Sequence, residues 1–227
     1  MAIQGILAVI ETIMYFVVGI TGLVAAVTVG ISRNAFSGEC ILYSKITWCN
    51  ETAMGFTELG SHTSCSFAVV VQCVASFYAI AFGVYYILIL LNKIEGLKFL
   101  TLPSIVINVA FALLLFVESC VVSVGFKQFC SGLTSSPGTV SDCSKGSSVK
   151  NWNIQTPCAD PSLVYKEHPS YSGSSYFGFF TTAQSASWFS VLFWVIIAII
   201  SIIRRVRDKP TLDPGSDKAP ISPNVVI

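Results

Sequence analysis

The segment Trp188–Lys209, WFSVLFWVIIAIISIIRRVRDK, constrains this chain more than any other stretch. Its first sixteen residues are uncharged, and the next six carry Arg204, Arg205, Arg207 and Lys209 against a single anion, Asp208. An apolar run of that kind is a membrane span, and cations gather on the cytoplasmic side of a span. The segment therefore runs from outside to inside and puts the C-terminal tail in the cytosol. The polarity of every other segment follows from it.

Four apolar blocks recur along the 227 residues. They cover about 3–31, 66–91, 99–126 and 177–203. Each is long enough for a helix to cross roughly 30 Å of hydrocarbon. Only 11% of residues are charged, against about 25% in soluble domains. Continuous apolar runs exclude a β-barrel, whose strands alternate. A net charge of +1 gives no reason to expect nucleic acid as a partner. The first block carries no Lys or Arg before Arg33 and is longer than a signal-peptide core, so it reads as a retained span. The expectation is an all-α membrane protein, a four-helix bundle over residues 1–203. Two outer loops, 32–65 and 127–176, and a disordered cytosolic tail, 204–227 with four prolines, complete it. Both termini are then cytosolic, in the plasma membrane or a membrane of the secretory pathway.

The outer loops carry their own signals. Asn50-Glu51-Thr52 is a glycosylation sequon, which belongs on the lumenal side, where polarity also puts it. Glu39–Trp48 is rich in strand formers and suggests a short hairpin. Six of the eight cysteines, Cys40, Cys49, Cys65, Cys130, Cys143 and Cys158, divide three to a loop. An oxidising compartment makes them three disulfides, and six cysteines allow 15 pairings. If all are paired, at least one bridge joins the two loops. No two lie at the close spacing of a zinc thiolate site, so no metal or other cofactor is expected. Cys73 and Cys120 fall inside spans and are expected to stay free.

Several short motifs run in a fixed order. Phe36-Ser37-Gly38-Glu39-Cys40-Ile41-Leu42-Tyr43 opens the first loop and Cys65-Ser66-Phe67 closes it. Val122-Ser123-Val124-Gly125-Phe126 precedes Cys130, Gly138-Thr139-Val140 precedes Cys143, and Ala183-Gln184 with Trp188 opens the fourth span. Over roughly residues 15 to 205 the chain resembles the transmembrane protein 179 family, most closely its B-type branch. The resemblance implies four spans, cytosolic termini and two lumenal loops, with no enzymatic activity to transfer. It implies the pairs Cys40–Cys65 and Cys130–Cys143. Cys49, Cys158 and Glu118 depart from the family's pattern, and the two extra cysteines suggest an added inter-loop bridge, Cys49–Cys158.

Within the spans, Gly22, Ala26 and Gly30 on the first, and Ala75, Ala79 and Gly83 on the second, lie four residues apart. Such stripes let helices approach closely, first of all spans one and two, or else a partner helix. Aromatics crowd the second and fourth spans, among them Phe77, Tyr78, Phe82, Phe189 and Trp194, and are expected to face lipid or its interface. Glu11 and Glu118 are the intramembrane carboxyls, each costly unless paired or neutral. They lie near opposite leaflets, and their expected partners are hydroxyls or amides such as Asn108 and Gln72. Val225 and Ile227, at alternate positions of the tail, make the pattern a PDZ groove reads. No nucleophile elbow, phosphate loop or HExxH appears, so an enzyme is not expected. The reading is an accessory or scaffolding subunit of a larger membrane protein, surrounded by lipid and tied to a cytosolic PDZ protein. The alternative is a small oligomeric channel or transporter using Glu11, Asn108 and Glu118.

Overall fold

A computed structural model describes residues 2–48, 54–91, 101–135, 140–148 and 172–207. Its elements are α1 (Ala2–Ala35), β1 (Cys40–Trp48), β2 (Met54–Gly60), α2 (His62–Leu90), α3 (Thr101–Leu133), a 3₁₀ turn over Cys143–Ser148, and α4 (Tyr176–Arg207). All four α-helices are long and apolar enough to span a membrane. Successive helices pack side by side in antiparallel order, and the ring closes between α4 and α1. The chain is a multi-pass helical membrane protein capped by a two-stranded sheet.

The helices outrun the apolar blocks. α3 has 33 residues, about 50 Å at 1.5 Å per residue, and ends seven residues beyond the block boundary at 126. Cys130, assigned to a loop from the sequence, therefore sits on the last turns of α3. α1 continues to Ala35, α2 starts at His62, and α4 continues to Arg207, past the expected start of the tail. Only the bilayer-embedded part of a helix must be apolar. The overhang of α3 is stabilised by packing against the sheet.

The chain reverses out of α1 through Ser37 at φ 55° and Gly38 at φ 91°. Arg33 secures that corner: its Nε and Nη2 donate to Gly38 O, and its Nη1 donates to Ser66 Oγ at 3.2 Å. Ser61 then starts α2, accepting from Thr63 N at 3.2 Å. The hairpin expected at Glu39–Trp48 is real, but that segment supplies one strand only. Its partner is Met54–Gly60, paired antiparallel with Lys45 opposite Glu58 and Trp48 opposite Met54. The register shifts between Cys40 and Lys45, where Ser44 bridges by donating to Cys40 O and accepting from Gly60 N. Gly60 is required there, because a Cβ would collide with the Leu42 and Cys40 carbonyls.

The sheet lies across the end of α3. Trp48 Nε1 donates to Leu133 O at 3.1 Å, and Gly125 leaves room for the Tyr43 ring. Phe36, Trp48, Phe129, Leu133, Tyr176 and Phe180 fill a core beneath it. A second core around Tyr15, Ala79, Leu115 and Trp194 fills the middle of the bundle.

Candidate functional site

Among the described residues, two disulfides are fixed at the sheet end. Cys40 bonds Cys65 across 25 residues and joins the β1 corner to the start of α2. Cys130 bonds Cys143 across 13 residues and ties the 3₁₀ turn to α3. These are the two pairs the family resemblance implies. The turn also rests on α4, where Tyr176 Oη donates to Cys143 O. Cys73 and Cys120 are free. Cys49, Asn50, Cys158, Val225 and Ile227 lie outside the described residues.

Inside the bundle, polar side chains gather in two layers. In the tail-end layer every helix contributes. Glu11, fully buried, pairs with Arg204 and accepts from Ser201 Oγ at 2.6 Å. Asn108 Nδ2 donates to Tyr15 Oη at 2.8 Å and to Ser201 Oγ at 3.4 Å. The Arg204 guanidinium lies 5.4 Å from the centroid of the Tyr86 ring, a cation–π distance. Sequence reasoning missed the Glu11–Arg204 pair, since it took Arg204 only as an anchor at the cytosolic face and offered Glu11 hydroxyls and amides. The missing link was the closure of α4 onto α1. The one available signal was that both residues stand near the same end of their spans.

The second layer joins α2, α3 and α4. Gln72 Nε2 donates to Glu118 Oε2 at 2.8 Å and to Ser187 Oγ at 3.1 Å. Ser187 Oγ completes the triangle by donating to Glu118 Oε1 at 3.3 Å. Glu118 is buried and has no cationic partner among the described residues. Here the amide named from the sequence, Gln72, is indeed the partner. Nearby, Thr21 and Ser190 hydrogen-bond α1 to α4 at 3.0 Å.

The two layers share no residue. Between them lies the apolar core, with Leu115 and Trp194 at 0% and 1% exposure. Trp194 packs on Phe111 at 5.0 Å and on Tyr78 at 5.9 Å, so both Trp194 and Tyr78 correct the lipid-facing expectation. Phe77 and Phe189 do face outward. Glu11, Asn108 and Glu118 thus stand in two separate networks, with a buried aromatic plug between them.

The small-residue stripe also differs from expectation. Gly22 does meet α2, where a Cβ would strike Ser76 Oγ and approach Gln72 Oε1 at 3.1 Å. Ala26, Ala75 and Ala79 are buried and Gly83 seats Phe16. Gly30 faces open space, whereas Gly19, which the four-residue pattern skipped, lies against Ile80. The seam on α1 therefore runs Gly19, Gly22, Ala26, mixing three- and four-residue steps as left-handed helix packing does.

A four-span bundle with a cystine-tied sheet at one end and polar layers locking its interior defines a tetraspan membrane protein of claudin-like type. The chain belongs to the family described as the Transmembrane protein 179/179B Claudin domain, which matches residues 7–218. It is similar to "Transmembrane protein 179B" of Danio rerio, 21% identical over 217 residues, covering 95% of this chain and 91% of that one. No solved structure matches it.

Proposed function

We propose that this protein is a non-enzymatic accessory or scaffolding subunit for a larger membrane protein. The observation that carries this reading is a groove of about 320 Å³ between α1 and α4, on the surface that faces the bilayer. Ile20, Val24 and Phe189 make its apolar wall, and Thr181, Thr182 and Ser185 present exposed hydroxyls. Hydroxyls gain nothing against acyl chains, while small hydroxyl residues are the contact residues of helix pairs in membranes. The groove suits a transmembrane helix of another protein. The tightly packed apolar core between the polar layers weighs against the channel reading for a single chain. The cationic end of α4, Arg204, Arg205 and Arg207, supports cytosolic termini and an outward-facing sheet. In that orientation Asn50 is available for glycosylation and the tail for a PDZ protein.

The test replaces Ser185 with Trp, which fills the groove, and Leu113 with Trp on the lipid face of α3. Native electrophoresis of protein extracted at its natural abundance should show a hetero-complex. Ser185→Trp should dissolve that complex and Leu113→Trp should leave it intact. A complex indifferent to Ser185→Trp would refute the groove as the contact surface.

A further inference from the structure

The exposed apolar side chains of α3 form a lipid-facing stripe from Leu102 through Leu113 and Val117 to Val124. One turn beyond Val124 stands Lys127, the first charge past the stripe, exposed and without an ion-pair partner among the described residues. At this level the sheet leaves a groove of about 730 Å³ against α3. Its lining includes Lys45 of β1, Thr57 of β2, and Val124, Lys127 and Ser131 of α3. Ile46 of β1 packs beside Gly132 of α3 on the same groove.

We propose that this groove binds the headgroup of an anionic phospholipid. Charge is the first reason. Lys45 and Lys127 bring two ammonium groups, and Glu58, the one neighbouring carboxylate among the described residues, pairs with Lys45 at 2.8 Å across the exposed sheet face. The remaining excess of one positive charge complements one phosphodiester. The hydroxyls of Thr57 and Ser131 line the same groove and can donate to its oxygens. Position is the second reason. Val124 opens the floor of the groove onto the stripe that acyl chains cover, so a lipid fills both parts at once and a soluble phosphate fills only the polar one. An ammonium at the headgroup level also keeps its stem among chains while its charge reaches water.

Glu58 makes the proposal separable from simple interfacial attraction. Its removal frees Lys45, so Glu58→Gln should tighten lipid binding while Lys127→Gln weakens it. The full chain in detergent, carrying Arg205→Gln and Arg207→Gln to remove cations at the opposite end, is titrated with phosphatidylglycerol or with phosphatidylcholine of the same chains. Native mass spectrometry counts retained lipid. The expected result is one retained phosphatidylglycerol in preference to phosphatidylcholine, weakened about fivefold by Lys127→Gln and restored by Lys127→Arg. Equal retention of both lipids, or a preference unchanged in Lys127→Gln, would overturn the proposal. Displacement of the lipid by equimolar glycerol 3-phosphate would overturn it too, by showing a site for a soluble anion.

Discussion

At the residue scale, breaking the Glu11–Arg204 pair carries a large penalty. Glu11 is fully buried, so losing its cation strands a charge inside the membrane. Arg204→Met should destabilise the protein by about 3–5 kcal/mol. Adding Glu11→Gln should recover much of that loss, because the amide needs no counter-ion. Thermal unfolding in detergent reads both variants; equal stability of single and double variants would show the pair to be inert. Glu118 differs, since its carboxyl is held by Gln72 and Ser187 and, among the described residues, not by a cation. The presence of both carboxyls in spans was legible in the sequence. Their partners were legible only where the residue types on offer were few, as with Gln72. Arg204 was hidden because its place in the cytosolic charge cluster already explained it.

At the element scale, the α1–α2 seam and the sheet make separate predictions. Gly22→Leu drives a side chain into Ser76 and Gln72 and should cost about 1–3 kcal/mol, while Gly30→Leu meets open space and should change stability by less than about 0.5 kcal/mol. Matching losses at both positions would contradict the seam. Replacing Cys40 and Cys65 with Ser opens a loop of 25 residues and should cost about 3–4 kcal/mol, seen as faster proteolysis between β1 and β2. The spans could be read because a slab of fixed thickness demands unbroken apolar runs. The extra turns of α3 could not, since outside the slab they depend on Phe129 and Leu133 meeting a sheet distant in sequence. β2 was invisible for the same reason: MGFTELG holds two glycines and becomes a strand through its pairing with β1.

At the scale of the whole molecule, the proposed orientation rests on the cationic end of α4. A C-terminal tag should be protected from antibody in intact cells and stained after permeabilisation; staining of intact cells would reverse the topology. Four spans and their sequential packing followed from the sequence, whereas the closure of α4 onto α1 and the aromatic plug at Trp194 required the fold. That plug separates the two polar layers and directs attention from the interior of the bundle to its outer surface. The most direct test of the accessory role is the mass of the complex extracted from its own membrane without overexpression, resolved into its components. The account predicts this chain together with a larger membrane protein in fixed ratio. A symmetric ring of this chain alone would contradict it.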